Sequence, residues 1–84
     1  ITHIEGERNY SYIYLSNGTR ELSSKNLAYF EDILLDKSFF RSHRSYLVNK
    51  YHIATLKDDQ FILKSGVEIP ISRRKKTEAN EWFF

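Results

Sequence analysis

The sequence predicts a mainly β domain with one internal helix and a short C-terminal helix, and three stretches carry that expectation. Asn17-Gly18 lies between Tyr10-Ser11-Tyr12-Ile13-Tyr14-Leu15 and a second run near Thr19 to Leu22. An Asn-Gly pair accepts positive φ at both centres of a type I′ turn, so a tight hairpin is expected there. Leu27, Phe30 and Leu34 recur at helical spacing, whereas Val67-Glu68-Ile69-Pro70-Ile71 alternates with the period of a half-buried strand.

Taken in order, Ile1 to Glu5 is a short mixed strand, Gly6-Glu7-Arg8-Asn9 a polar loop, and Tyr10 to Leu15 a strand rich in β-favouring aromatics. Asn17-Gly18-Thr19 also fits a glycosylation sequon, but no export signal accompanies it and the hairpin turn is the better reading. Ser23 is the expected N-cap of the internal helix, with Leu22 and Leu27 placed as a hydrophobic staple, and the helix should run from Ser24 to Leu35. Ile53 to Leu56 and Gln60 to Leu63 read as strands joined by a turn at Lys57-Asp58-Asp59, and Lys64-Ser65-Gly66 turns the chain into the alternating strand. Pro70 has no N–H for a ladder and puts that strand at a sheet edge. Ser72 should cap a last helix through Arg73 to Phe84, whose four cations at Arg73-Arg74-Lys75-Lys76 oppose the helix dipole. Such a start suits a docked anion such as phosphate, and it is equally accounted for by a solvated helix that tolerates a small penalty.

A chain of 84 residues is one small domain, and one of this size buries only about 60% of its unfolded surface. Six Phe, six Tyr and one Trp must supply much of its core, since overall hydrophobic content is 40%. Without Cys there is no disulfide framework and no thiolate metal site. His3, His43 and His52 lack short metal-ligand spacing, the three Gly are isolated, and no motif marks an activated Ser, so neither a metal, a cofactor nor catalysis is expected. No apolar run approaches the roughly 18 residues of a membrane span and no signal-peptide pattern opens the chain, which favours a soluble cytoplasmic protein. The absence of Met before the first strand suggests a domain cut from a longer protein.

Net charge of +2 conceals a concentrated basic block. From Lys37 to Lys57 the chain carries Lys37, Arg41, Arg44, Lys50 and Lys57 with no Asp or Glu, while residues 1–36 hold three Lys/Arg against six Asp/Glu. Within the block, Arg41-Ser42-His43-Arg44-Ser45 interrupts apolar Phe39-Phe40 and Tyr46-Leu47-Val48 like a turn between two short strands. A rigid scaffold would then present a donor-rich cationic tip suited to phosphate oxygens and base edges. On spacing alone, a solvated hairpin with ordinary surface charge explains it as well.

The stretch Phe39-Phe40-Arg41-Ser42-His43-Arg44-Ser45-Tyr46-Leu47-Val48-Asn49 resembles the most recognisable segment of LytTR-type DNA-binding domains, the output modules of many bacterial response regulators. Ile4-Glu5 and Ile71-Ser72-Arg73-Arg74 fall where that family has its other signatures, and the resemblance covers residues 1–84. It implies three small antiparallel sheets in an elongated body, with loops entering successive major grooves of duplex DNA and the body facing the minor groove between them. By position it implies that Asn9, Arg44 and Arg74 read bases, and that Arg8, His43, Ser45, Lys50, Arg73 and Lys75 hold the DNA backbone. The first loop is shorter than in many family members and offers Arg8 and Asn9 where His is common. The resemblance further implies an N-terminal receiver domain in the full-length protein and two protomers on imperfect direct repeats.

A different class of function is an interaction module whose edge strand at Val67 to Ile71 pairs with a partner chain, although Glu68 and Pro70 blunt such an edge. A small hydrolase is the weakest reading, because no residues form a recognisable catalytic set.

Overall fold

A four-residue strand, β1 (His3–Gly6), ties two hairpins into one sheet. In the computed structural model, which describes residues 1–34 and 38–84, β1 is followed by β2 (Ser11–Tyr14), β3 (Arg20–Ser23), α1 (Leu27–Ile33), β4 (Phe39–His43) and β5 (Tyr46–Asn49). The first sheet has the order β3-β2-β1-β5-β4 and is antiparallel throughout, with Ile4 of β1 opposite Ile13 on one side and Leu47 on the other. A second antiparallel sheet is formed by β6 (Ile53–Lys57), β7 (Gln60–Leu63) and β8 (Glu68–Pro70), and α2 (Lys76–Phe83) ends the chain. The expected three sheets are therefore two, because β1 pairs with both neighbours and fuses what would otherwise be separate units. The expected elongated body is instead 31 × 26 × 21 Å.

Alternation in β1 and β5 divides the first sheet into two working faces. Ile4 and Leu47 point to α1, where they meet Leu27 with Ile13, Phe30, Leu34 and Phe39 around them. This confirms the apolar stripe of the helix. Strand and helix approach so closely that a Cβ on Gly6 would stand 2.8 Å from Leu27 Cβ. On the opposite face Phe40 and Val48 join Ile53, Phe61, Leu63, Ile69, Ile71 and Ala79, so the second sheet and α2 close a second core. Trp82 stacks on Phe40 with ring centroids 5.0 Å apart.

Several local expectations change in the folded chain. Ser23 ends β3, paired with Ser11, and Asn26 caps α1 by accepting the Tyr29 N–H at 3.0 Å. Leu22 is exposed and forms no staple, and the expected helix end at Leu35 lies outside the described residues. At Asn17-Gly18 only the glycine takes positive φ, +90°, and the loop has three residues, with the Leu15 carbonyl accepting the Gly18 N–H. The same closure recurs between Leu63 and Val67. The two left-handed residues of a type I′ turn occur instead at Asp58 and Asp59. Pro70 lies in an edge strand as expected; Ile69 and Ile71 are buried, whereas Val67 is exposed. Ser72 makes no side-chain cap: a 3-10 turn, Arg73–Lys75, precedes α2, and Lys76 is paired with Asp59 at 2.8 Å.

His3 is buried beside Tyr14, its ring stacked at 4.3 Å and its Nδ1 2.9 Å from Thr2 Oγ1. Burial pushes the imidazole down to about 4 from 6.5, with Glu5 opposing that shift. In the unfolded chain His3 takes up its proton near 6.5, so its contribution to stability is complete above that pH and is lost as pH falls towards 4. Urea unfolding should show about 2 kcal/mol less stability at about pH 5 than at about pH 7.5 from this group. His3→Gln should remove that part of the pH dependence; an unaltered pH profile would disprove the assignment.

Candidate nucleic-acid interface

The cationic residues singled out in the sequence lie mostly on three connections: the β1–β2 loop, the β4–β5 turn and the 3-10 turn ahead of α2. In the first, Glu7 N–H bonds to Tyr10 O at 2.9 Å, leaving Arg8 and Asn9 exposed at the tip. In the second, His43, Arg44 and Ser45 close the hairpin, with Arg44 exposed and the Ser45 N–H donated to His43 Nδ1 at 3.1 Å. Because Nδ1 accepts, the proton of the neutral ring sits on Nε2, which is then a donor. In the third, Arg73 and Arg74 are exposed.

These connections are fastened to one another. Gly6 N–H donates to Ser45 O at 2.8 Å, joining the first loop to the basic turn. Arg8, Arg44 and Ser45, with Gly6 and Glu7, line one open cleft of about 410 Å³. Ser42 is fully buried and bridges the turn to the third connection: its hydroxyl donates to Pro70 O at 3.0 Å, and its carbonyl accepts the Ser72 N–H at 2.8 Å. A bulge in the β4–β5 pairing between Arg41 and His43 frees Ser42 for that role. The same bonds occupy part of the β8 edge, which leaves less of it for a partner strand.

The electrostatics favour an anionic partner. Among the described residues, ion pairs with acids involve Arg41, Lys75 and Lys76, so Arg8, Arg44, Arg73 and Arg74 have no acidic partner. Beneath the turn, Tyr46 packs edge-on against His43 and donates to Glu5 at 3.3 Å, as does Tyr14 at 3.2 Å. Burial, then the Glu5 charge, pushes the Tyr46 phenol up, so it remains a neutral donor. Arg41 is engaged on three sides. Its Nη1 meets Glu31 Oε1 of α1 at 2.7 Å, its Nε donates to His43 O at 3.1 Å, and its Nη2 donates to Arg44 O at 2.6 Å.

A family model described as the LytTr DNA-binding domain matches residues 1–84. The chain belongs to the LytTR family. Among solved structures it is similar to the LytTr DNA-binding domain of a protein described as a methyl-accepting/DNA response regulator from Bacillus cereus. That likeness has a TM-score of 0.86 at 23% identity and covers 98% of this chain and 79% of the other, which speaks to the fold. No curated protein matches the sequence. LytTR domains bind DNA and are not enzymes, and they occur as output domains of response regulators. Among the described residues, no helix is long and apolar enough to cross a membrane.

Within this LytTR domain the expected site residues do not all converge. Arg8, Arg44 and Ser45 share the cleft, Asn9 stands at the same tip, and Arg73 and Arg74 follow the segment bonded to Ser42. Lys75 turns inward, 5.6 Å from the Phe40 ring and 3.8 Å from Glu78. Lys50 donates to Trp82 O at 2.8 Å, placing its ammonium on the last-turn carbonyls of α2. Lys50→Ala should therefore cost about 1 kcal/mol of stability, read as a lower urea midpoint; an unshifted midpoint would show that this bond contributes nothing.

Sequence reasoning counted Arg41 as one more cation of the basic block and gave it no task. A signal was present: Arg41 follows Phe39 by two on a strand, so it shares a face with core residues. A charge there requires partners.

Proposed function

We propose that this LytTR domain binds duplex DNA sequence-specifically, as the output domain of a bacterial transcriptional response regulator with an N-terminal receiver domain. Arg44, Arg74 and Asn9 read base edges in successive major grooves. Arg8, His43, Ser45 and Arg73 contact phosphates; Lys75 joins them only by turning out from the Phe40 ring and Glu78, and Lys50 only by giving up its Trp82 carbonyl. The observation that carries the reading is the backbone fastening of three cationic connections, through Gly6–Ser45 and through Ser42, with Arg8, Arg44, Arg73 and Arg74 lacking an acidic partner among the described residues. In this reading the partners are imperfect direct repeats occupied by two protomers, in the cytoplasm.

Selection of bound duplexes from a random pool, followed by titration over a range of salt, tests the proposal. A preferred sequence should emerge, with log affinity falling linearly against log salt. Binding that ignores sequence, or a slope near zero, would overturn it.

A further inference from the structure

We infer that Arg41 is a positioning residue for the DNA-reading turn: anchored by Glu31 of α1, its guanidinium fixes the backbone of Arg44 and so the direction in which that side chain leaves the domain. The inference rests on the proposed base-reading role of Arg44. His43 O belongs to the peptide plane before the Arg44 Cα, and Arg44 O to the plane after it. One guanidinium holds both, through Nε at 3.1 Å and Nη2 at 2.6 Å. The second plane is held again from its other end, where the Ser45 N–H meets His43 Nδ1. With both flanking planes held, φ and ψ of Arg44 have little freedom, although the β4–β5 ladder is broken by the bulge just before the turn.

The third nitrogen explains why the clamp itself stays put. Glu31 Oε1 lies 2.7 Å from Nη1, and the Arg41 side chain is 23% exposed, so the guanidinium is partly withdrawn from water and aligned by the helix. Its planar fork presents donors in fixed directions, which suits acceptors on two peptide planes and a carboxylate at once. A lysine ammonium keeps the charge but has no such geometry. Through Glu31, α1 thereby acquires a part in recognition. Its neighbour on β1, Gly6, bonds to Ser45 O from the other side of the turn.

Arg41→Lys and Glu31→Gln test this in two independent arms. In the free chain, amide exchange of Ser45 and Gly6 should accelerate by about tenfold in Arg41→Lys, the scale of releasing one ordered backbone residue, while Leu47 and Val48 keep their protection. On DNA, Arg41→Lys should lower affinity for the preferred duplex by about tenfold and for a scrambled duplex by less than about twofold, with the salt slope unchanged. Glu31→Gln should move both readouts the same way but less, and it guards against a lysine variant that folds poorly. Equal losses on both duplexes with a shallower salt slope would mean that Arg41 touches phosphate, and would overturn the inference. So would unchanged Ser45 exchange in both variants. Should the unmodified chain prefer no duplex, the base-reading proposal fails, and the exchange arm alone still decides whether Arg41 holds the turn.

Discussion

Arg44→Ala and Arg74→Ala are each expected to cost about 1 to 3 kcal/mol on the preferred duplex and much less on a scrambled one, collapsing the specificity ratio. Both side chains are exposed, neither has an acidic partner among the described residues, and each leaves a connection whose backbone is bonded to another element. An arginine so placed can offer two parallel donors to guanine, an arrangement that a phosphate contact does not need. Arg→Lys separates the two roles. Near-complete rescue would indicate a purely electrostatic contact, whereas a base reader loses its planar fork and is rescued only in part. The measurement is affinity for both duplexes at one salt concentration. Equal loss on each would make these residues phosphate clamps and remove the base-reading assignment.

Phe61→Ala should have the largest effect on the fold, about 3 to 5 kcal/mol. Phe61 is fully buried, and its ring meets Phe40 of the first sheet edge-on at 6.4 Å, with Trp82 and Phe83 of α2 each at 5.7 Å. Truncation therefore opens a cavity where both sheets and the last helix converge. A domain of this size has only about 5 to 10 kcal/mol in hand, so the variant should be extensively unfolded near body temperature. Phe61→Leu refills much of the volume and should cost markedly less. Urea denaturation of both variants checks the ordering; equal stability of Phe61→Ala and the parent chain would contradict the packing.

Local chemistry made most of the elements legible. The period of Leu27, Phe30 and Leu34, the turn residues at Asn17-Gly18 and Asp58-Asp59, and the placement of Pro70 each act over a few residues, and each marks a real feature. Choices between local alternatives were harder, because tertiary pairing makes them. Ser23 and Asn26 could both cap α1, and Ser23 lost because β3 extends to it opposite Ser11. Asn-Gly could form a type I′ turn, yet closure on Leu15 and Thr19 leaves Asn17 out of the left-handed region, and the Asn17 carboxamide accepts the Thr19 N–H instead. The joining of β1 to β5 had no local signal at all, and the three sheets that the family resemblance implied are two. The basic turn was visible as charge. Its supports were not, since Ser42 and Arg41 act on Pro70, Ser72 and Glu31, which lie far away in the sequence.

The seam between β1 and β5 also sets an order of assembly. Glu5 and the Tyr46 hydroxyl that reaches it are 41 positions apart in the chain, whereas the β2–β3 and β6–β7 hairpins join near neighbours. Long closures cost more chain entropy before any contact repays it, so the hairpins are expected to form before the seam closes. The cleft holding Arg8 and Arg44 has one wall from each side of that seam. A chain that has collapsed without closing it therefore carries the same charges and attracts DNA of any sequence. On that order of events, discrimination between sequences is expected to arise only once β1 has paired with β5.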